Sequence, residues 1–168
     1  SGVALLGVVF IEGITGYWMV WDMRAQLVAT ATTELLDVLP IFPKPLSMAI
    51  ATEGNVTNLL FFAVVFVHIA LPLFSLALVL LHFSRFAKTL LLPPKQLMAL
   101  ILGTLLVLSA LKPALSAAPA DLSRALVNVP VDWFYLFYIP LVHSNAALVW
   151  LLLLSYSALL LAVPRLVK

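Results

Sequence analysis

Two histidines, His68 and His82, lie 14 residues apart in a stretch that carries no Asp, Glu, Lys or Arg between Glu53 and Arg85. On an α-helix that interval returns the second side chain to within ~40° of the first and sets it ~21 Å further along the axis. Neutral imidazole is a common ligand of haem iron, and two stacked haems suit this separation. The plain alternative is two polar groups hydrogen-bonded to neighbouring helices, with Pro72 between them. Gly2 and Gly16 repeat the interval of 14. Glycine on an intramembrane face lets a flat macrocycle approach closely, and helix packing alone would also use it.

Three further groups carry chemistry. Glu12 precedes Gly16 by one helical turn. A carboxylate inside a membrane is a functional candidate, with a neutral packing role as the other reading. Asp132 borders an aromatic run over residues 133–138. A poorly solvated carboxylate at a membrane interface can take up and release a proton near neutral pH; otherwise Asp132 is a loop acid or a helix cap. His143 reads as an interfacial histidine rather than a haem ligand.

The elements that position these groups follow from composition. The chain has 168 residues, 64% hydrophobic and 10% charged, against about 45–50% and 25% in soluble proteins. Disorder, a coiled coil and a soluble single-core domain are excluded. The formal charge of +2 is small and scattered, so nucleic acid is not a partner. The absence of cysteine excludes disulfides, thiolate-ligated zinc, iron–sulfur clusters and thioether-linked haem within this chain. The chain begins at Ser1, which reads as a processed or truncated start, and its first segment is not flanked like a signal peptide.

Apolar stretches, the first interrupted only by Glu12 and the third ending on Lys95 and Lys112, predict four membrane spans near 2–21, 59–83, 95–112 and 144–163. In lipid these are helices, because a strand would need a closed barrel. The fold class is all-α: a polytopic transmembrane bundle with an amphipathic surface helix over 25–38. Residues 1–88 form a haem-binding half with its connector at 22–58, and residues 89–168 a second two-span region. One side of the membrane receives six of the seven acids; the other receives Arg85, Lys88, Arg165 and Lys168 and no acid. The positive-inside rule puts that second side, with both termini, in the cytoplasm.

Three motifs in order resemble the cytochrome b family, the membrane subunit of quinol-oxidising cytochrome bc-type complexes. Gly16-Tyr17-Trp18-Met19-Val20-Trp21-Asp22 is similar to G-Y-x-L-P-W-[DG]. His68-Ile69-Ala70-Leu71-Pro72, followed by His82, is similar to H-x-x-L-P with its second histidine. Pro130-Val131-Asp132-Trp133-Phe134-Tyr135-Leu136-Phe137 is similar to P-E-W-Y-F-L-F. The resemblance covers nearly the whole chain, as the family's third to sixth helices. It departs at Val20, which replaces a proline, and at Phe134, which stands where the family's tyrosine does.

The resemblance implies that His68 and His82 ligate the irons of two b-type haems, low- and high-potential respectively, with Gly2 and Gly16 against them. It implies that Asp132 helps take a proton from quinol in a pocket walled by Tyr17, Trp133, Phe137 and Ile139. The family's first two helices, which carry the opposing axial histidines, are not in this sequence, so an N-terminal half or partner subunit would supply them. It further implies a Rieske iron–sulfur protein and a c-type cytochrome as partners and a dimeric complex. The setting would be an energy-transducing membrane, foremost the bacterial inner membrane. Two other functions fit the residues: a cytochrome b-like quinone-linked anchor of a non-bc redox complex, and a haem-free structural membrane subunit or small transporter.

Overall fold

The computed structural model describes residues 2–50, 56–84, 93–132 and 136–166. Trp133 lies outside the described residues, and of His82 only the backbone is described. The chain is helical: α1 (Gly2–Val20), α2 (Met23–Asp37), α3 (Leu46–Ile50), α4 (Asn58–Ser84), α5 (Lys95–Leu111) and α6 (Ile139–Leu166).

Three of these, α1, α4 and α6, are long and apolar enough to cross a membrane. The 17-residue α5 spans about 25 Å, a little less than a ~30 Å hydrocarbon core. The outward faces are covered in exposed leucine, valine and phenylalanine, such as Phe62, Phe66 and Leu106. That surface is unfavourable in water and favourable in lipid, so the chain forms an integral membrane helical protein. α1 packs along α4, and α2 packs across α1 and α6. Among the described residues α5 touches no other helix.

α1 ends because Trp21 adopts a left-handed backbone, φ 50°, which no helix continues through. Its ring packs edge-on against Phe61 of α4, with centroids 5.2 Å apart. Asp22 then turns extended and caps α2, its Oδ1 accepting from the backbone N–H of Ala25 at 2.9 Å. α2 buries a stripe of small residues, Ala25, Val28, Ala29 and Ala31, which lets it lie close against its neighbours. The hydroxyls of Thr30, Thr32 and Thr33 donate back to carbonyls of their own helix, so none is left unbonded in the packed face.

α6 begins at Ile139 rather than at 144, and it is two pieces. Asn145 leaves helical geometry (φ −162°, ψ 89°), and its Oδ1 accepts from the Leu148 N–H at 3.0 Å. Asn145 is therefore the cap of the long membrane segment, and residues before it form a short leading turn. That leading turn carries His143, whose Nδ1 lies 2.8 Å from Glu34 of α2. Farther along, the Trp150 indole N–H donates to the Leu35 carbonyl at 2.6 Å, a second tie between α2 and α6.

The loop after α5 is clasped to the start of α2. Asp22 Oδ2 accepts from the Ala117 N–H at 2.7 Å, and the Met23 N–H donates to the Ala118 carbonyl at 2.9 Å. The Gln26 amide donates to the Asp121 carbonyl (3.0 Å) and accepts from the Asp121 N–H (2.9 Å). Both Asp22 and Gln26 are buried. Burial alone would raise the Asp22 carboxyl, but the N–H groups of Ala25, Ala117 and Arg24, helped by the Arg24 charge, hold it below the usual carboxylate range. A carboxyl with a lowered folded-state pKa stabilises above its unfolded value, about 3.9, and that contribution is lost as pH falls through the folded value. Asp22→Ala removes both a cap and a charged hydrogen bond, an expected loss of about 2–4 kcal/mol. Thermal unfolding of the solubilised complex checks this: the gap between wild type and variant is wide at pH 7 and closes in acid. Equal melting at pH 7 would mean that the clasp contributes nothing.

Candidate functional site

His68 sits in α4 one turn before Pro72, whose ring nitrogen has no N–H to offer the His68 carbonyl. Its imidazole lies against Gly16 of α1; a methyl group on Gly16 would stand 3.2 Å from His68 Cε1. The Thr15 hydroxyl donates to the helix carbonyls of Glu12 (2.9 Å) and Ile11 (3.1 Å), so its oxygen is free to accept. That oxygen is 2.9 Å from His68 Nδ1, and Glu12 Oε1 is 3.3 Å from the same atom. With the Thr15 proton given to those carbonyls, a proton on Nδ1 serves both Thr15 and Glu12 and leaves the lone pair on Nε2; the tautomer is assigned from this network.

This geometry fits a haem ligand. A ligating histidine usually donates from one nitrogen to an outer partner while the other binds metal. Gly16 supplies the absent side chain that such a site needs beside the ring. Gly2 lies where a Cβ would meet nothing within 4 Å. His82 lies on the same unbroken helix as His68, 14 residues further along.

Beside His68 is a half-open apolar cavity of about 620 Å³ lined by four helices. From α1 it is lined by Phe10, Ile14, Thr15 and Trp18, from α2 by Thr32 and Leu35. Val64 of α4 and Trp150 of α6 close it. The size is within the ~300–1,000 Å³ range of small-molecule sites. Thr15 both lines the cavity and bonds His68, so cavity and imidazole share a wall. The Trp18 indole nitrogen is buried and has no hydrogen-bond acceptor among the described residues.

The structure brings Tyr17 and Asp132 together: the Tyr17 hydroxyl donates to Asp132 Oδ2 at 2.6 Å. Residues 115 apart in sequence thus meet at the end of α1, joining the first and third motifs. Trp133 lies outside the described residues. Of the other two, Ile139 belongs to the buried core cluster of Leu136, Val28 and Val142, against which Tyr17 packs, and Phe137 is 68% exposed. Tyr17, Asp132, Phe137 and Ile139 are not among the described residues that line the cavity; Tyr17 is adjacent to it through Trp18. The cavity walls of α1 and α2 were missed by sequence reasoning, and a signal existed: Phe10, Ile14 and Trp18 recur every four residues along one face of α1, the face away from Gly16.

Residues 1–160 match the family described as cytochrome b(N-terminal)/b6/petB. The chain belongs to the cytochrome b family. Comparison with curated proteins and with solved structures returned no match. Membership in the cytochrome b family makes this a haem-binding membrane protein of electron transfer, working within a b-type cytochrome complex.

Proposed function

We propose that the protein is the part of a cytochrome b that oxidises quinol at the α1–α2–α4–α6 cavity and passes electrons through two b haems. The observation that carries this is the shared wall: one residue, Thr15, faces the cavity and holds His68. A molecule in the cavity therefore stands within a side chain's reach of the imidazole. His68 and His82 are the residues of this chain that would hold haem iron, each for a different haem. Haem, when bound, supplies a one-electron acceptor at each of those imidazoles. An N-terminal half or a partner subunit would supply the remaining haem ligands, and a Rieske protein with a c-type cytochrome would take the other electron on the membrane face opposite the cytoplasm.

The remaining steps belong to this chain's side chains. Apolar walls from four helices hold the quinol ring and keep water away. Quinol oxidation releases two protons with its two electrons, so a base must stand near. Asp132, outside the cavity lining but tied to the end of α1, takes a proton, and the Tyr17 hydroxyl, bonded to Oδ2, aims the carboxylate. Asp is one methylene shorter than the family's glutamate, so a water completes the reach.

Filling the cavity tests the reading. Ala63 lines it from α4. Ala63→Trp in the assembled complex should lower kcat/KM for quinol on the order of tenfold or more, since pocket shape is worth factors of that size. Haem content should not change. Unaltered quinol kinetics with a blocked cavity would place the substrate elsewhere.

A further inference from the structure

We propose that Glu12 is a positioning residue for His68, and that it holds down the reduction potential of the haem on that imidazole. This rests on the reading of His68 as a haem ligand. Glu12, Thr15 and Gly16 fall at i, i+3 and i+4 on α1, one face turned toward α4. Gly16 makes room for the imidazole ring, Thr15 accepts its Nδ1–H, and Glu12 adds a carboxylate oxygen 3.3 Å from the same nitrogen. The other carboxylate oxygen, Oε2, is buried and has no hydrogen-bond partner among the described residues. An acid within a membrane span is costly unless something there uses it. Among the described residues, the imidazole N–H is the polar group this side chain meets.

The chemistry follows from the placement. An acceptor that draws on Nδ1–H makes Nε2 a stronger electron donor and steadies the oxidised metal over the reduced one. A carboxylate in a low-dielectric surrounding also opposes the arrival of an electron close by. Both effects act in one direction, toward a lower potential. They act on one haem, because His82 lies ~21 Å along the helix. Residues 12 and 68 thereby create an asymmetry between two haems held by similar imidazoles.

The test is a potentiometric titration of the assembled complex in membranes, followed by optical and low-temperature EPR spectra. Glu12→Gln keeps size and removes the charge. At the wild-type midpoint of the His68 haem its reduced-to-oxidised ratio should rise about tenfold, a shift of 59 mV for a one-electron couple. The EPR signal of that haem should move and that of the His82 haem should not. Thr15→Val should shift the same haem in the same direction by less. An unmoved His68 haem in Glu12→Gln overturns the proposal, and so does an equal shift of both haems. If Glu12→Gln loses that haem altogether, its return in Glu12→Asp supports positioning, and loss in both variants overturns it. His68→Leu separates the two claims: if that variant retains both haems, the ligand assignment itself fails. If it loses one haem while the Glu12 variants titrate as wild type, only the role of Glu12 fails.

Discussion

His82→Leu in the assembled complex is expected to remove one b haem and leave the other, and His68→Leu to remove the second while sparing the first. Loss of a haem is the largest change any single substitution here should produce, since Leu has no atom that can bind iron. The selectivity arises from depth. Both residues belong to one helix, α4, without a break between them, and 14 residues of rise separate them by ~21 Å. One haem cannot reach both imidazoles. The Gly16 contact gives a further check on the His68 site. Gly16→Val would put branched carbon atoms where His68 Cε1 already stands 3.2 Å from a single methyl position. That variant should disturb the His68 haem and not the other. Haem quantified per complex, with the split α-band of the reduced spectrum, reads both outcomes. Loss of both haems in each histidine variant would indicate collapse of the bundle rather than loss of a ligand.

Asp132→Asn should slow quinol oxidation by about 10²-fold without loss of haem, because general-base terms are typically 10²–10⁴ and water replaces part of the function. The asparagine keeps the shape and can still accept from Tyr17. Only proton uptake is removed. Tyr17→Phe removes the bond instead and leaves the base in place, so its effect should be smaller than that of Asp132→Asn. Because the hydroxyl acts through the carboxylate, the double variant should be little slower than Asp132→Asn alone. Rapid mixing of quinol with the oxidised complex, followed at the haem α-band, gives the rates. Multiplying effects in the double variant would mean that the two side chains work independently, against the 2.6 Å contact between them.

The membrane elements were legible because charge is expensive in lipid. Apolar stretches nearly empty of acids and bases set α1, α4 and α5 to within a residue of their observed ends, with Glu12 the one charge inside α1. The start of α6 was not, since the segment before Asn145 is apolar too and only the backbone shows that Asn145 is a cap. The short α3 also escaped, for it is a single turn and a half with no periodicity to read. At the site, the residue types were legible and the partnerships were not. Glu12 stood out as an acid in a span, but its neighbour His68 is brought to it by the packing of α1 on α4. The clasp of Asp22 and Gln26 onto 117–121 pairs side chains with backbone groups 95 residues away, and backbone groups leave no mark in a sequence. The cavity follows the same logic: four helices each contribute a few apolar residues, indistinguishable one by one from packing residues.

The most direct measurement is the spectrum of the purified complex, oxidised and then mixed with a quinol. Two b-type haems should be present, and quinol should reduce them through a step that Ala63→Trp slows and His68→Leu interrupts. A complex that contains this chain but shows no b-haem α-band, or whose haems stay oxidised under excess quinol, would contradict quinol-driven electron transfer through His68 and His82.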